Sequence, residues 1–222
     1  GVAHPIAFIS VGPVNTELDY FPYLSWTYFE SYVAHELGHT LGVRHATSWD
    51  CGRRIIYATS CTRREYGNYF DVMGAFFNGL HFNAAFKDAF GWLNRNIIQI
   101  TASGTYTIKP LVVPLAEGAT ILPTDMRAAK IYSQGFSSPS FYLEYRRALG
   151  FDAPGLSRDS QVARNQRGLM INWTGDRSDI PAPRLLDMKQ NYPAAPSDDW
   201  SIVALSGGQI FSDAGLGIKI GP

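Results

Sequence analysis

His35-Glu36-Leu37-Gly38-His39-Thr40-Leu41-Gly42-Val43-Arg44-His45 is the stretch on which the reading of this 222-residue chain turns. Around it, Tyr28, Phe29, Tyr32, Val33, Glu36, Leu37 and Thr40 recur at helical spacing. Ser25 is placed to cap the start of that helix, and Gly42 suits the left-handed position that closes one. His35 and His39 are four residues apart, so both project from one helix face and their imidazoles can reach one metal ion. Glu36 sits one position round, where its carboxylate can touch a water on that ion without ligating it. Gly42, with no Cβ, lets the backbone leave the helix sharply, which brings His45 back as a third nitrogen ligand. Three protein ligands leave one position open, the catalytic form of a zinc site; a structural site is closed by four.

Outward from this segment the chain divides by texture. Residues 1–95 hold two helix-like segments separated by a polar, cysteine-bearing loop, preceded by a short strand over 7–11 that Gly12-Pro13 breaks. The second helix is expected over 83–90, with Phe86 and Phe90 one turn apart and Gly91 as its stop. Residues 96–222 alternate β-branched runs with turn residues, predicting strands over 96–101, 105–111, 128–132, 140–146, 168–173, 201–205, 209–212 and 216–220. The expected class is α+β: a catalytic part over 1–95 and a sandwich-like β-rich part over 96–222. Residues 151–167 show no periodicity and read as a long loop.

Composition narrows the function. Nineteen basic residues balance nineteen acidic ones, so there is no electrostatic footprint for a nucleic acid. No apolar run approaches the ~20 residues of a membrane-spanning helix. Gly1 to Phe8 lack the basic and apolar regions of a signal peptide, so any targeting segment would lie outside these residues.

HExxHxxGxxH is the signature of the metzincin zinc peptidases, and the chain resembles that family. Its members carry a methionine turn beneath the metal, and Asp71-Val72-Met73-Gly74, with Met73 28 residues after His45, is similar to that turn. The resemblance implies that Met73 forms a hydrophobic floor under the histidines and does not bind zinc; a plain core methionine is the alternative. Astacin-like and serralysin-like members place a further ligand, a tyrosine, two residues after the methionine. Ala75 stands there, so the resemblance implies three histidines plus water. Glu65 to Gly74, Phe82 to Lys87, Gly91-Trp92-Leu93, Tyr142 to Arg146, Gly150-Phe151-Asp152 and Leu185-Leu186-Asp187-Met188 look like the gametolysin-like branch. That branch comprises secreted endopeptidases whose founding members act on matrix glycoproteins of algal cell walls. Metzincins also carry a substrate-pairing strand before the zinc helix. Only 34 residues precede His35, so either the chain is N-terminally incomplete or the upper half of the cleft is built differently.

For a secreted protein, Cys51 and Cys61 are expected to be bonded to each other, with two free thiols as the alternative. Asn172-Trp173-Thr174 is a glycosylation triplet inside an expected strand. His4 and His81 match no motif position and read as surface residues. Asp213 suits a turn, and calcium there has no other support.

The expected activity is peptide hydrolysis with one zinc ion on His35, His39 and His45, and with Glu36 as general base. Gly74, Ala75, Phe76 and Phe77 follow the methionine turn and are expected to line the pocket for the residue after the cut. The partner implied is a protein or peptide substrate, and no feature sets an oligomeric state. Two alternatives stay open. A catalytically silent zinc-binding module would use its β-rich part to hold an extracellular partner, although it would have no chemical need for Glu36. A zinc hydrolase of a non-peptide substrate would need only the HExxH core.

Overall fold

The structure, a computed structural model, describes residues 26–51, 56, 61–74, 80–114, 120–132, 141–157, 162–174, 183–188 and 203–222. The expected strand over 7–11, the cap at Ser25 and the pocket residues Ala75, Phe76 and Phe77 lie outside them.

The fold is mixed α+β, with few helices and one large mixed sheet. Helix α1 spans Trp26–Thr40 and α2 spans Ala84–Ala89. The strands are β1 (Thr47–Asp50), β2 (Thr62–Arg64), β3 (Ile97–Ile100), β4 (Ala128–Ile131), β5 (Phe141–Tyr145), β6 (Gly168–Trp173), β7 (Arg184–Leu186), β8 (Leu205–Ser206), β9 (Phe211–Asp213) and β10 (Ile218–Ile220). The sheet runs β2-β1-β7-β6-β5-β4-β3, with β8 paired to β6. The β1–β7 and β3–β4 pairs are parallel and the others antiparallel. Strands from both sides of residue 95 therefore share one sheet, with β1 from the histidine segment bonded to β7.

Register sorts the two faces. Ser48, Leu185, Asn172, Tyr142 and Lys130 are successive cross-strand partners, as are Trp49 and Leu186, and Ile171, Leu143 and Ala129. Partners share a face and neighbours along a strand do not. The second set joins Phe141, Trp173, Phe211 and Ile220 in an apolar core, so the β9–β10 hairpin covers that face. The first face is buried yet polar, carrying Glu144, Asn172 and Ser48. Helix α2 lies on it: Ala84 and Ala85 pack with Ala128 and Tyr142, while Phe86 turns outward to Met73 and Phe82.

Two expectations about secondary structure need correction here. Residues 105–111 form no strand. Their backbone bonds are isolated ones, Lys109 N–H to Met126 and Leu111 N–H to Tyr145, so no ladder forms. The described residues within 151–167 are not an open loop. They contain helical turns at Gly150–Asp152, Ala153–Leu156 and Val162–Arg167, each too short to display a 3.6-residue period. Among the described residues, no helix is long and apolar enough to cross a membrane.

Candidate metal centre

Helix α1 ends as its sequence requires. Gly42 has φ +93°, and its N–H bonds to His39 O at 3.0 Å while Val43 N–H bonds to Gly38 O at 3.2 Å. This is the paired closure of a Schellman motif, which needs a left-handed residue at Gly42. The chain then reverses, and Ala46 N–H bonds to Met73 O at 2.8 Å before β1 begins.

That reversal brings His35, His39 and His45 together, with one ring nitrogen of each within 4.8 Å of the others. Each ring is held from behind. His35 Nδ1 donates to Val72 O at 2.7 Å, His39 Nδ1 to Val43 O at 3.1 Å, and His45 Nδ1 to Glu65 Oε1 at 2.7 Å. A carbonyl oxygen only accepts, so in the neutral form of His35 and of His39 the proton sits on Nδ1 and Nε2 keeps its lone pair. The Glu65 carboxylate selects the same tautomer at His45. His39 Nε2 and His45 Nε2 stand 3.1 Å apart, close enough for both nitrogens to face one cation. The three histidines can hold a metal ion, with the outer hydrogen bonds that orient metal-binding imidazoles.

Electrostatics agree with a neutral His35. Burial lowers the pKa of His35, outweighing its bond to Val72, and the neighbouring His39 and His45 act in the same direction. For Glu65, desolvation pushes upward, but the hydrogen bonds from His45 and Arg63 win and hold its carboxyl below the ordinary value. Glu36 is half-buried and makes no hydrogen bond to any described residue, which leaves its carboxylate uncommitted beside His35.

Met73 is fully buried beneath this cluster, packed with Val43, Ala46, Val72, Phe82 and Phe86. Its turn is built by Asp71, whose Oδ1 accepts from Met73 N–H at 2.6 Å and whose Oδ2 accepts from Asn83 N–H at 2.5 Å. Gly74 closes the turn against the backbone, where an added Cβ would stand 1.9 Å from Asn68 O. Arg146, fully buried, donates to Phe70 O at 2.7 Å, to His81 O at 3.0 Å and to Asp152 Oδ1 at 2.6 Å. One guanidinium thus ties both ends of the 70–81 segment to β5. Glu144 completes the network by accepting from Ala84 N–H at 2.6 Å.

Several other residues find a place. Cys51 and Cys61 are disulfide-bonded. Asp213 Oδ1 accepts from Leu216 N–H at 2.9 Å, a turn bond. Asn172 is fully buried, and its Oδ1 accepts from Asn68, so the triplet at 172–174 is closed to a glycan in the folded chain. His81 is not the surface residue its sequence suggested: it is half-buried, with Phe82, Trp92 and Phe151 around its ring.

Sequence reasoning missed Glu65, Tyr66 and Gly38 as parts of this site. For Glu65 a signal existed. The β1–β2 register pairs Ser48 with Arg64 and Asp50 with Thr62, and its next pair is Cys51 with Cys61. A disulfide read as the end of a hairpin would have placed residue 65 opposite Thr47, beside His45.

Comparison of the chain with protein families, curated proteins and solved structures finds no match.

Proposed function

We propose that this chain is a secreted zinc endopeptidase of the metzincin type, resembling the gametolysin-like branch, that hydrolyses peptide bonds of extracellular or cell-wall proteins. The observation that carries this reading is the convergence of His35, His39 and His45 in an HExxHxxGxxH segment, each ring oriented from behind. Imidazole donors suit zinc and other late divalent metals rather than calcium, which prefers oxygen. Two nitrogens bound to one tetrahedral zinc stand roughly 3.3 Å apart, and the His39 and His45 nitrogens stand 3.1 Å apart. The Cys51–Cys61 disulfide is compatible with an extracellular protein.

In this reading His35, His39 and His45 hold the ion and Met73 floors it. When bound, zinc supplies Lewis-acid polarisation of the scissile carbonyl and lowers the pKa of water to about 7. Glu36 takes the proton from the attacking water and returns it to the leaving amine. Its freedom from other hydrogen bonds among the described residues leaves it available for both transfers. Val72, Val43 and Glu65 keep the three ring protons on Nδ1.

The test is digestion of an unstructured protein mixture by the zinc-loaded chain beside its Glu36→Ala variant, with zinc content measured for both. Cleavage by the parent and a loss of at least about 100-fold in the variant is expected, since general acid–base groups contribute 10²–10⁴-fold. Zinc bound but no cleavage by either would overturn the peptidase reading in favour of a silent zinc-binding module.

A further inference from the structure

The three ligands are not held alike. His35 and His39 stand on α1, and their Nδ1 atoms bond to main-chain carbonyls. His45 lies beyond the helix, in the coil that leads into β1, and the acceptor of its Nδ1 bond is a half-exposed side chain. Its placement is therefore the least determined by secondary structure.

Two consecutive residues act on that one ring. Glu65 Oε1 takes the Nδ1 proton, and the Tyr66 ring stands 3.8 Å from the His45 ring, centroid to centroid. The Tyr66 ring also lies 6.0 Å from His35, nearly parallel to it. On an extended strand, neighbouring side chains point to opposite sides, so a straight continuation of β2 would send one of the pair away. Tyr66 instead adopts φ +58°, a left-handed conformation uncommon for a bulky side chain and costing about 1–3 kcal/mol. Tyr66 remains 41% exposed, so core burial does not explain that cost. The carboxylate is fixed too: Arg63 Nη2 donates to Glu65 Oε2 at 2.5 Å, leaving Oε1 to His45. The hairpin behind them is stapled by Cys51–Cys61, one register step beyond Asp50–Thr62.

We propose that Glu65 and Tyr66 form a clamp that positions His45 as the third metal ligand. Glu65 selects the tautomer that turns Nε2 towards His39, and the Tyr66 ring keeps the imidazole from swinging out of the cluster. Both are positioning residues. The clamp rests on the three histidines being a metal centre and is independent of whether the chain cuts peptides.

The test is zinc affinity of the metal-free full chain, measured in competition with a chromophoric chelator. Cobalt absorption spectra and melting temperatures of the metal-free proteins are recorded alongside. Glu65→Ala should weaken zinc binding about 10- to 100-fold, the usual cost of removing such an outer partner, and should alter the cobalt spectrum. Glu65→Gln, which keeps an acceptor without the charge, should fall between that variant and the parent. Tyr66→Gly, which relieves the left-handed backbone, should weaken affinity without lowering the metal-free melting temperature, whereas Tyr66→Phe should match the parent. Parent-like affinity in Glu65→Ala and Tyr66→Gly would overturn the clamp. So would affinity losses that merely track collapse of the metal-free fold. A parent chain that binds no zinc would overturn the metal centre itself.

Discussion

Gly38 of α1 lies directly against Met73: a Cβ at Gly38 would stand 2.3 Å from the methionine sulfur and 3.0 Å from Phe82 Cε1. The helix packs this closely on Met73 because that position has no side chain, and a Cβ there would force the buried methionine to shift. Ordinarily Gly→Ala inside a helix stabilises by about 1 kcal/mol. Here overpacking should reverse the sign, so Gly38→Ala is expected to destabilise by about 1–3 kcal/mol. Urea unfolding checks it, and a stabilised Gly38→Ala would refute the contact. Gly74→Ala should be worse, because its neighbour, Asn68 O, is backbone and cannot yield.

Asp71 gives the turn that carries Met73 a pH dependence. Burial drives its carboxyl up to about 7 from 3.8, against the Met73 and Asn83 amides that favour the ionised form. Between those values the folded state keeps a proton that the unfolded state loses. Its contribution to stability is therefore complete below about pH 4 and lost as pH rises through about 7. His81, pushed down to about 3 chiefly by burial, works the other way, since its contribution is lost as pH falls below 6.5. Comparing the parent with Asp71→Asn isolates the first effect. The parent's advantage should shrink from pH 5 to pH 8 in urea unfolding, and an advantage that grows would contradict it.

Arg146 is the electrostatic centre of the buried face. Removing it strands Asp152 and Glu144 inside the protein and releases the carbonyls of Phe70 and His81. Arg146→Met is expected to cost about 3–5 kcal/mol, as for other broken buried pairs. Arg146→Lys keeps the charge but not the two-pronged contact with Asp152, so it should recover only part of the loss. A loss under about 1 kcal/mol for Arg146→Met in chemical denaturation would show the network to be dispensable.

The disulfide closes a short loop. On the chain-entropy estimate it stabilises by roughly 2.7 kcal/mol, which for a chain of this size corresponds to a melting point roughly 5–11 °C higher. The Cys51→Ser/Cys61→Ser double variant should lose that much in a thermal melt, and an unchanged melting point would show that the β1–β2 hairpin holds without its staple.

What was legible in the sequence is what neighbours along the chain decide. The face shared by His35 and His39 follows from a four-residue spacing, the end of α1 from Gly42, and the start of α2 from Asn83, whose side chain caps Phe86 N–H at 3.0 Å. The short, mostly apolar runs near 97–100, 128–131, 141–145 and 168–173 became strands without alternating burial, since the central β5 and β6 are covered on both faces. In the helices and their caps the hydrogen bonds and side-chain directions are settled within a few residues. The pairing of β1 with β7, more than 130 residues apart, carries no local mark. Neither does the approach of Glu65 to His45, nor the closure of Arg146 on Asp152, Phe70 and His81. A buried charge is stable only where acceptors from other segments surround it, and which segments arrive is decided when the sheet closes. The chain's own order therefore determined that histidines could meet on a helix; only the folded sheet decided what stands behind each ring, because those partners are brought there by burial rather than by spacing.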